Sequence, residues 1–237
     1  MQMDVGKLWH SYMAEFDEQG GKLTLKLVYY GPALSGKTTN LMRLHDMIRP
    51  ELKGEMMVLE TKNDRTLFFD LLPLGITAPS GLLIKLKLFT VPGQVAHDST
   101  RKAVLSRADG VVFVADSQRS QSINSAQSFE NLADNVARVG IDFDALPVVV
   151  QFNKRDLQDI QSEDEILERW SQTPWPVVFS SAVRGDGIVA TFRTLLQKVY
   201  TANKATYALQ SEHRLSEEMF VGAVIGYPGD EPISGGG

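Results

Sequence analysis

The chain contains no cysteine, which excludes disulfides, thiol catalysis and thiolate metal ligation and fits a cytoplasmic setting. It lacks any run of 18 or more apolar residues, so no segment reads as a membrane-spanning helix. It also lacks a basic excess. Lys and Arg number 24 against 29 Asp and Glu, a net charge of −5, which leaves no electrostatic footprint for nucleic acid and disfavours an anionic membrane surface. The opening Met-Gln-Met-Asp is neither a signal peptide nor a myristoylation sequence, and the closing Ser-Gly-Gly-Gly is no prenylation box. No direct membrane anchor is therefore expected, and attachment would need a partner. The histidines, His10, His45, His97 and His213, are scattered without ligand spacing, so no histidine metal site is expected.

What is present is organised around Leu23–Asn40, LTLKLVYYGPALSGKTTN. Gly31, Gly36, Lys37 and Thr38 stand in the spacing G-x-x-x-x-G-K-[ST], behind an alternating apolar run and ahead of a helix-patterned one. Backbone N–H groups of such a loop form a nest for phosphate oxygens, and the helix that follows adds the positive end of its dipole. The lysine reaches the outer phosphates and the hydroxyl binds magnesium. Gly31, Leu34, Ser35, Gly36, Lys37, Thr38 and Thr39 are the expected phosphate contacts, with Thr38 a magnesium ligand.

The 237 residues suit one well-buried domain of about 180 residues with appendages. Val5, Leu8, Trp9, Tyr12, Met13 and Phe16 follow helical spacing, so residues 1–21 read as an N-terminal amphipathic helix over 3–19, stopped by Gly20 and Gly21. Its polar face is acidic, which leaves docking on its own domain, a partner groove and a membrane surface as alternatives. Strand and helix patterns then alternate over 22–202, the signature of a mostly parallel sheet covered on both faces. Strands are expected at Lys22–Tyr30, Glu55–Glu60, Thr66–Leu74, Leu83–Val91, Val111–Asp116, Pro147–Asn153 and Val177–Ser180, with the Leu83 strand antiparallel to its predecessor. Helices are expected near Lys37–Ile48, Ser99–Arg107, Ser122–Val139, Glu163–Gln172 with a Ser162–Glu165 capping box, and Gly187–Tyr200. Residues 203–237 read as a C-terminal extension, partly disordered.

Loops at the carboxyl ends of parallel strands converge on one crevice. One carries Asn153-Lys154-Arg155-Asp156. A carboxylate there can accept from the ring N–H and the 2-amino group of guanine, whereas adenine presents a lone pair and no amino group, so Asp156 is the expected specificity residue. Lys154 can lay its stem over the base, and Asn153 can tie this loop to the phosphate loop. Ser181 and Ala182 follow the Val177 strand, where small residues let the Ala182 N–H approach the guanine carbonyl. In Thr90-Val91-Pro92-Gly93-Gln94, Gly93 can sense a γ-phosphate and Gln94 can orient a water. Thr66 can close over magnesium, and the adjacent Arg65 can neutralise transition-state charge.

Together these residues resemble the Ras-like small GTPases. More narrowly, GPALSGKTTNL, DRTLFFDLLPL, TVPGQ, GVVFVADSQ and QFNKRDL resemble the bacterial gliding-motility, MglA-like GTPases, over about Leu23–Tyr200. The resemblance implies an α/β P-loop fold: a Ras-like three-layer sandwich with a mostly parallel six-stranded sheet, one strand antiparallel. It also implies a GTP/GDP switch with Mg²⁺, regulating polarity or motility, a roadblock-type GTPase-activating protein, effectors of the GTP state, and cytoplasmic placement with recruitment to cell poles. It supports Gln94, Arg65 and Lys37 as the catalytic set and Thr38 and Thr66 as metal ligands. Thr90 stands where most Ras-like proteins carry an aspartate, so magnesium must rely on threonines, phosphates and water, with Asp70 a further candidate. The alternatives are a non-hydrolysing GTP-binding scaffold, against which Gln94 and Arg65 count, and a small-molecule kinase, against which N-K-R-D counts.

Overall fold

Strand β2 (Lys22–Tyr30) is the central element, and its sequence accounts for that place: all but its first residue are buried, with apolar side chains on both faces. In a computed structural model describing residues 16–17, 20–59, 69–92 and 98–226, the chain continues through helix α1 (Lys37–Met47), strands β3 (Met57–Leu59), β4 (Phe69–Thr77) and β5 (Leu83–Thr90), and helix α2 (Asp98–Leu105). Then follow β6 (Gly110–Asp116), α3 (Ser122–Arg138), β7 (Val148–Asn153), α4 (Glu163–Trp170), β8 (Val177–Phe179), α5 (Ile188–Asn203) and α6 (Glu217–Ile225), while β1 (Phe16–Asp17) precedes them all.

The six principal strands lie in the order β4-β5-β2-β6-β7-β8, with β4 antiparallel to β5 and the rest parallel. Two short strands extend this sheet: β3 pairs antiparallel with β4, and β1 pairs antiparallel with the start of β2. Pro73 is tolerated within β4 because its carbonyl points to the β3 side, where it accepts from Gly54 N–H at 2.9 Å, so the missing proline N–H is not needed by β5. Leu41 and Leu44 of α1, Phe192, Leu195 and Leu196 of α5 and Phe220 of α6 cover one face of the sheet. Val104 and Leu105 of α2, Leu132 and Val136 of α3 and Ile166 of α4 cover the other. The result is the expected three-layer sandwich, and the chain switches from one side of β2 to the other between β5 and β6, which puts the ligand crevice at the carboxyl end of β2.

Two expectations are corrected at the ends of the domain. The helix expected over 3–19 does not run through Phe16 and Asp17, which are extended; its remainder lies outside the described residues. Gly20 and Gly21 turn a hairpin instead: Gly21 has φ 58° and Asp17 Oδ1 accepts from Gly20 N–H at 2.8 Å. The hairpin is possible because β6 pairs with β2 only from Leu27 onward, leaving the edge at Lys22 and Leu23 open. At the other end the fold continues past 202 to Gly226. Leu209 and Leu215 are buried, Ser216 caps α6 by accepting from Met219 N–H at 3.1 Å, and Phe220 packs against Tyr200 with ring centroids 5.8 Å apart. Strand β4 also runs to Thr77, three residues beyond its expected end. The Ser162–Glu165 capping box forms as expected.

Candidate functional site

The turn from β2 into α1 is built on two glycines whose neighbours leave no room for a side chain. At Gly31 (φ 148°) a Cβ would lie 2.2 Å from the Val114 carbonyl of β6. At Gly36 (φ 99°) it would lie 2.3 Å from Asn153 Nδ2. Both conformations and both close approaches require glycine. Leu34 also adopts a left-handed φ of 62°, and its side chain is 88% exposed at the tip of the loop. Lys37 folds back over the loop, donating from Nζ to the carbonyls of Gly31 at 3.0 Å and Pro32 at 2.6 Å, so its charge is held inside the nest. The buried Ser35 hydroxyl has no hydrogen-bond partner among the described residues. A buried polar atom in a phosphate-shaped loop fits an anion held there. Thr38 is exposed and Thr39 half-buried on the first turn of α1.

The ends of β7 and β8 face this loop. Asn153, the last residue of β7, donates from Nδ2 to Ser35 O at 2.8 Å. Its Oδ1 accepts from Ser180 Oγ at 3.1 Å and Ala182 N–H at 2.9 Å. One side chain thus joins the phosphate loop to the Ser181–Ala182 turn. The Ala182 N–H, expected at the base, is here directed to Asn153. Lys154 has φ 68°, and its ammonium lies 2.6 Å from Asp116 Oδ2. Asp156 accepts from Ser181 Oγ at 2.5 Å, and that hydrogen bond above all, with Arg184 and Lys154 nearby, holds its carboxyl below the usual carboxylate range. It is therefore an anionic acceptor at neutral pH, the form that a donor pair on guanine requires.

Twelve of the expected site residues, Gly31, Leu34, Ser35, Gly36, Lys37, Thr38, Thr39, Asn153, Lys154, Asp156, Ser181 and Ala182, are thus described, and all lie at the carboxyl ends of β2, β7 and β8. Arg65, Thr66, Gly93 and Gln94 lie outside the described residues, and Asp70 is described only in its backbone, as part of β4. Thr90, at the position lacking the usual aspartate, is buried at the end of β5. Asp116 was not anticipated. It closes the fully buried β6 and is held by Lys154 on one oxygen and by Gln118 N–H, at 3.0 Å, on the other. A lone carboxylate ending an all-apolar strand was the available signal.

Among the described residues no helix is long and apolar enough to cross a membrane. Residues 79–199 match the ADP-ribosylation factor (Arf) family. The chain is 41% identical over 183 residues to the mutual gliding-motility protein MglA of Myxococcus xanthus, covering 77% of this chain and 94% of that protein. The family match takes in β5 to β8 and the base loop, and the similarity to MglA extends over most of the chain. The chain belongs to the Arf/Ras-like small GTPases, within the MglA-like group, and its reaction is the hydrolysis of GTP to GDP and phosphate.

Proposed function

We propose that the chain is a guanine-nucleotide switch that hydrolyses GTP slowly until an activating protein engages it, and that it controls polarity or motility in a bacterium. The observation that carries the nucleotide site is Asn153, one buried side chain bonded to the phosphate loop at Ser35 O and to the base loop at Ala182 N–H. Asp156 reads the two guanine donors, Ser181 holds Asp156, and Lys154, anchored on Asp116, lies along the base. Gly31, Leu34, Ser35, Gly36, Thr38 and Thr39 cradle the phosphates, with Lys37 on their outer oxygens. Magnesium fits the donor set as a hard ion that keeps phosphate and water ligands. Thr38, exposed on the first turn of α1, and Thr66 are its protein ligands, and when bound it screens the phosphate charge.

Hydrolysis is in-line attack of water, and the protein's contribution is position and charge. Gly93 senses the γ-phosphate, Gln94 aligns the water, and Arg65 completes the charge shell from within the chain. Arginine fingers contribute on the order of 10³–10⁵ in rate, and unaided switches run at roughly 10⁻⁴ to 10⁻² per second. The similarity to a protein named for gliding motility supports a motility role, and the proposal extends to a roadblock-type activator, effectors of the GTP state and action at the cell poles.

Single-turnover hydrolysis with magnesium, GTP and ATP in parallel, tests the reading. Slow loss of GTP with ATP untouched is expected. Rapid unaided turnover, or turnover of ATP, would reject it. Arg65→Ala should keep GTP affinity and lose the stimulated rate; equal stimulated rates in the two proteins would remove Arg65 from catalysis.

A further inference from the structure

Strand β7 carries a second polar residue on the same face as Asn153. Side chains alternate along a strand, so Gln151 stands two residues before Asn153 and points to the same layer, among α1 and α5. It is fully buried and, with Asn153, is one of two polar residues in the strand VVVQFN. Its Nε2 donates to Asn40 Oδ1 at 2.9 Å and to Thr191 Oγ1 at 2.9 Å. Its Oε1 has no hydrogen-bond partner among the described residues. The orientation of this amide is dictated by its partners. Asn40 commits its Nδ2 to Gly36 O at 2.9 Å, and Thr191 commits its proton to Gly187 O at 2.7 Å, so both present acceptors and only the NH₂ end of Gln151 can satisfy them.

These bonds form a closed path between the two halves of the crevice. Gly36 is the last loop residue before α1, and its carbonyl receives both the side chain and the backbone N–H of Asn40. Gly187 is the last residue before α5 and directly follows the Ser181–Asp186 turn. From Gly36 O through Asn40, Gln151 and Thr191 to Gly187 O, every member is buried or part-buried and every step is within 2.9 Å. A valine or leucine at 151 would remove the orphaned Oε1 but strand Asn40 Oδ1 without its donor, so the glutamine belongs to a buried polar path and not to the apolar packing of the strand.

We infer that Gln151 is a positioning residue: a second clamp beneath Asn153 that locks the start of α1 to the start of α5, so that the grip on the phosphates depends on residues that touch no nucleotide. This rests on the crevice being the guanine-nucleotide site. Asn153 joins the rims of the two loops, whereas Gln151 joins the helices on which those loops are mounted. The diphosphate, which needs both halves in register, is the ligand that senses the clamp. The monophosphate, held chiefly at the base, is not.

The test is the dissociation constant of GDP and of GMP, by displacement of a fluorescent GDP, for the wild-type chain and for Gln151→Leu, Thr191→Val and Thr191→Ser. Breaking the path, by losing two of its buried hydrogen bonds in either variant, should weaken GDP at least about tenfold in Gln151→Leu and Thr191→Val and leave GMP within about twofold, while Thr191→Ser, which keeps the hydroxyl, stays near wild type. Equal losses for GDP and GMP would make these residues mere support for the base loop and overturn the inference. So would unchanged GDP affinity in Thr191→Val, or a Thr191→Ser protein as weak as Thr191→Val. Thr191→Val is the isosteric change and decides the matter if Gln151→Leu does not fold. A wild-type chain that bound neither GDP nor GMP would instead overturn the underlying site, a result recognisable before any variant is made.

Discussion

Replacing Gly31 by alanine should separate nucleotide binding from folding in a measurable way. The added Cβ would lie 2.2 Å from the Val114 carbonyl, and ordinary contact begins near 3.4 Å, so the gap must open by roughly 1.2 Å. Strand β6 cannot yield, because it is paired to β2 on one side and β7 on the other. The phosphate loop must move instead. Its φ of 148° adds about 1–3 kcal/mol of backbone strain for a non-glycine residue, and the overpacking a similar amount. At about 2–4 °C per kcal/mol for a chain of this size, the melting temperature should fall by roughly 4–24 °C. A loop displaced by more than 1 Å loses about two charge-assisted hydrogen bonds to phosphate, so GDP affinity should fall at least about 100-fold. These two effects combine in one assay. At GDP a hundredfold above the wild-type Kd, ligand stabilises wild type by about 2.7 kcal/mol, whereas a variant bound 100-fold more weakly gains only about 0.4 kcal/mol. Thermal unfolding with and without GDP should therefore show a wild-type shift of several degrees and a shift of about 1 °C in Gly31→Ala. A variant that kept the full GDP-dependent shift would refute the argument from close packing.

Two other perturbations test the fold around the site. Burial pushes the Asp109 carboxyl up to about 6, outweighing the lowering by Lys26, whose backbone N–H donates to it at 2.7 Å and whose ammonium lies nearby. With the folded pKa above the unfolded one, the folded state holds a proton between about pH 4 and 6 that the unfolded chain has lost, so this contribution declines as pH rises through that window. The melting temperature of wild type minus that of Asp109→Asn should be larger at pH 5 than at pH 7; a difference independent of pH would reject the assignment. Phe220→Ala, which empties a fully buried position of α6, should lose about 3–5 kcal/mol in urea unfolding, and a loss under 1 kcal/mol would return α6 to the status of a loose extension.

Much of the site was legible because its chemistry is local. The phosphate loop is a run of backbone N–H groups made by eight consecutive residues, so G-x-x-x-x-G-K-T announces it, and the Ser162–Glu165 capping box is reciprocal within four residues. Asp156 and Asn153 could be named from their place behind an apolar strand. Features made by distant residues were not legible. Gln151 meets Asn40 and Thr191 across 111 and 40 positions, and Asp116 meets Lys154 across 38. Helix α6 shows no amphipathic stripe, because Phe220, Val221, Gly222 and Val224 are all buried and leave no contrast between faces.

By itself, then, the sequence determined the strand–helix alternation, the phosphate-loop motif and the carboxylate proposed to read guanine, since each depends on spacing along the backbone. Only the tertiary structure decided that residues 16–17 pair with β2, that 204–226 complete the core, and that a buried glutamine ties α1 to α5. Those depend on which surfaces the packed sheet leaves open and on which polar groups it encloses, and neither exists before the chain has folded.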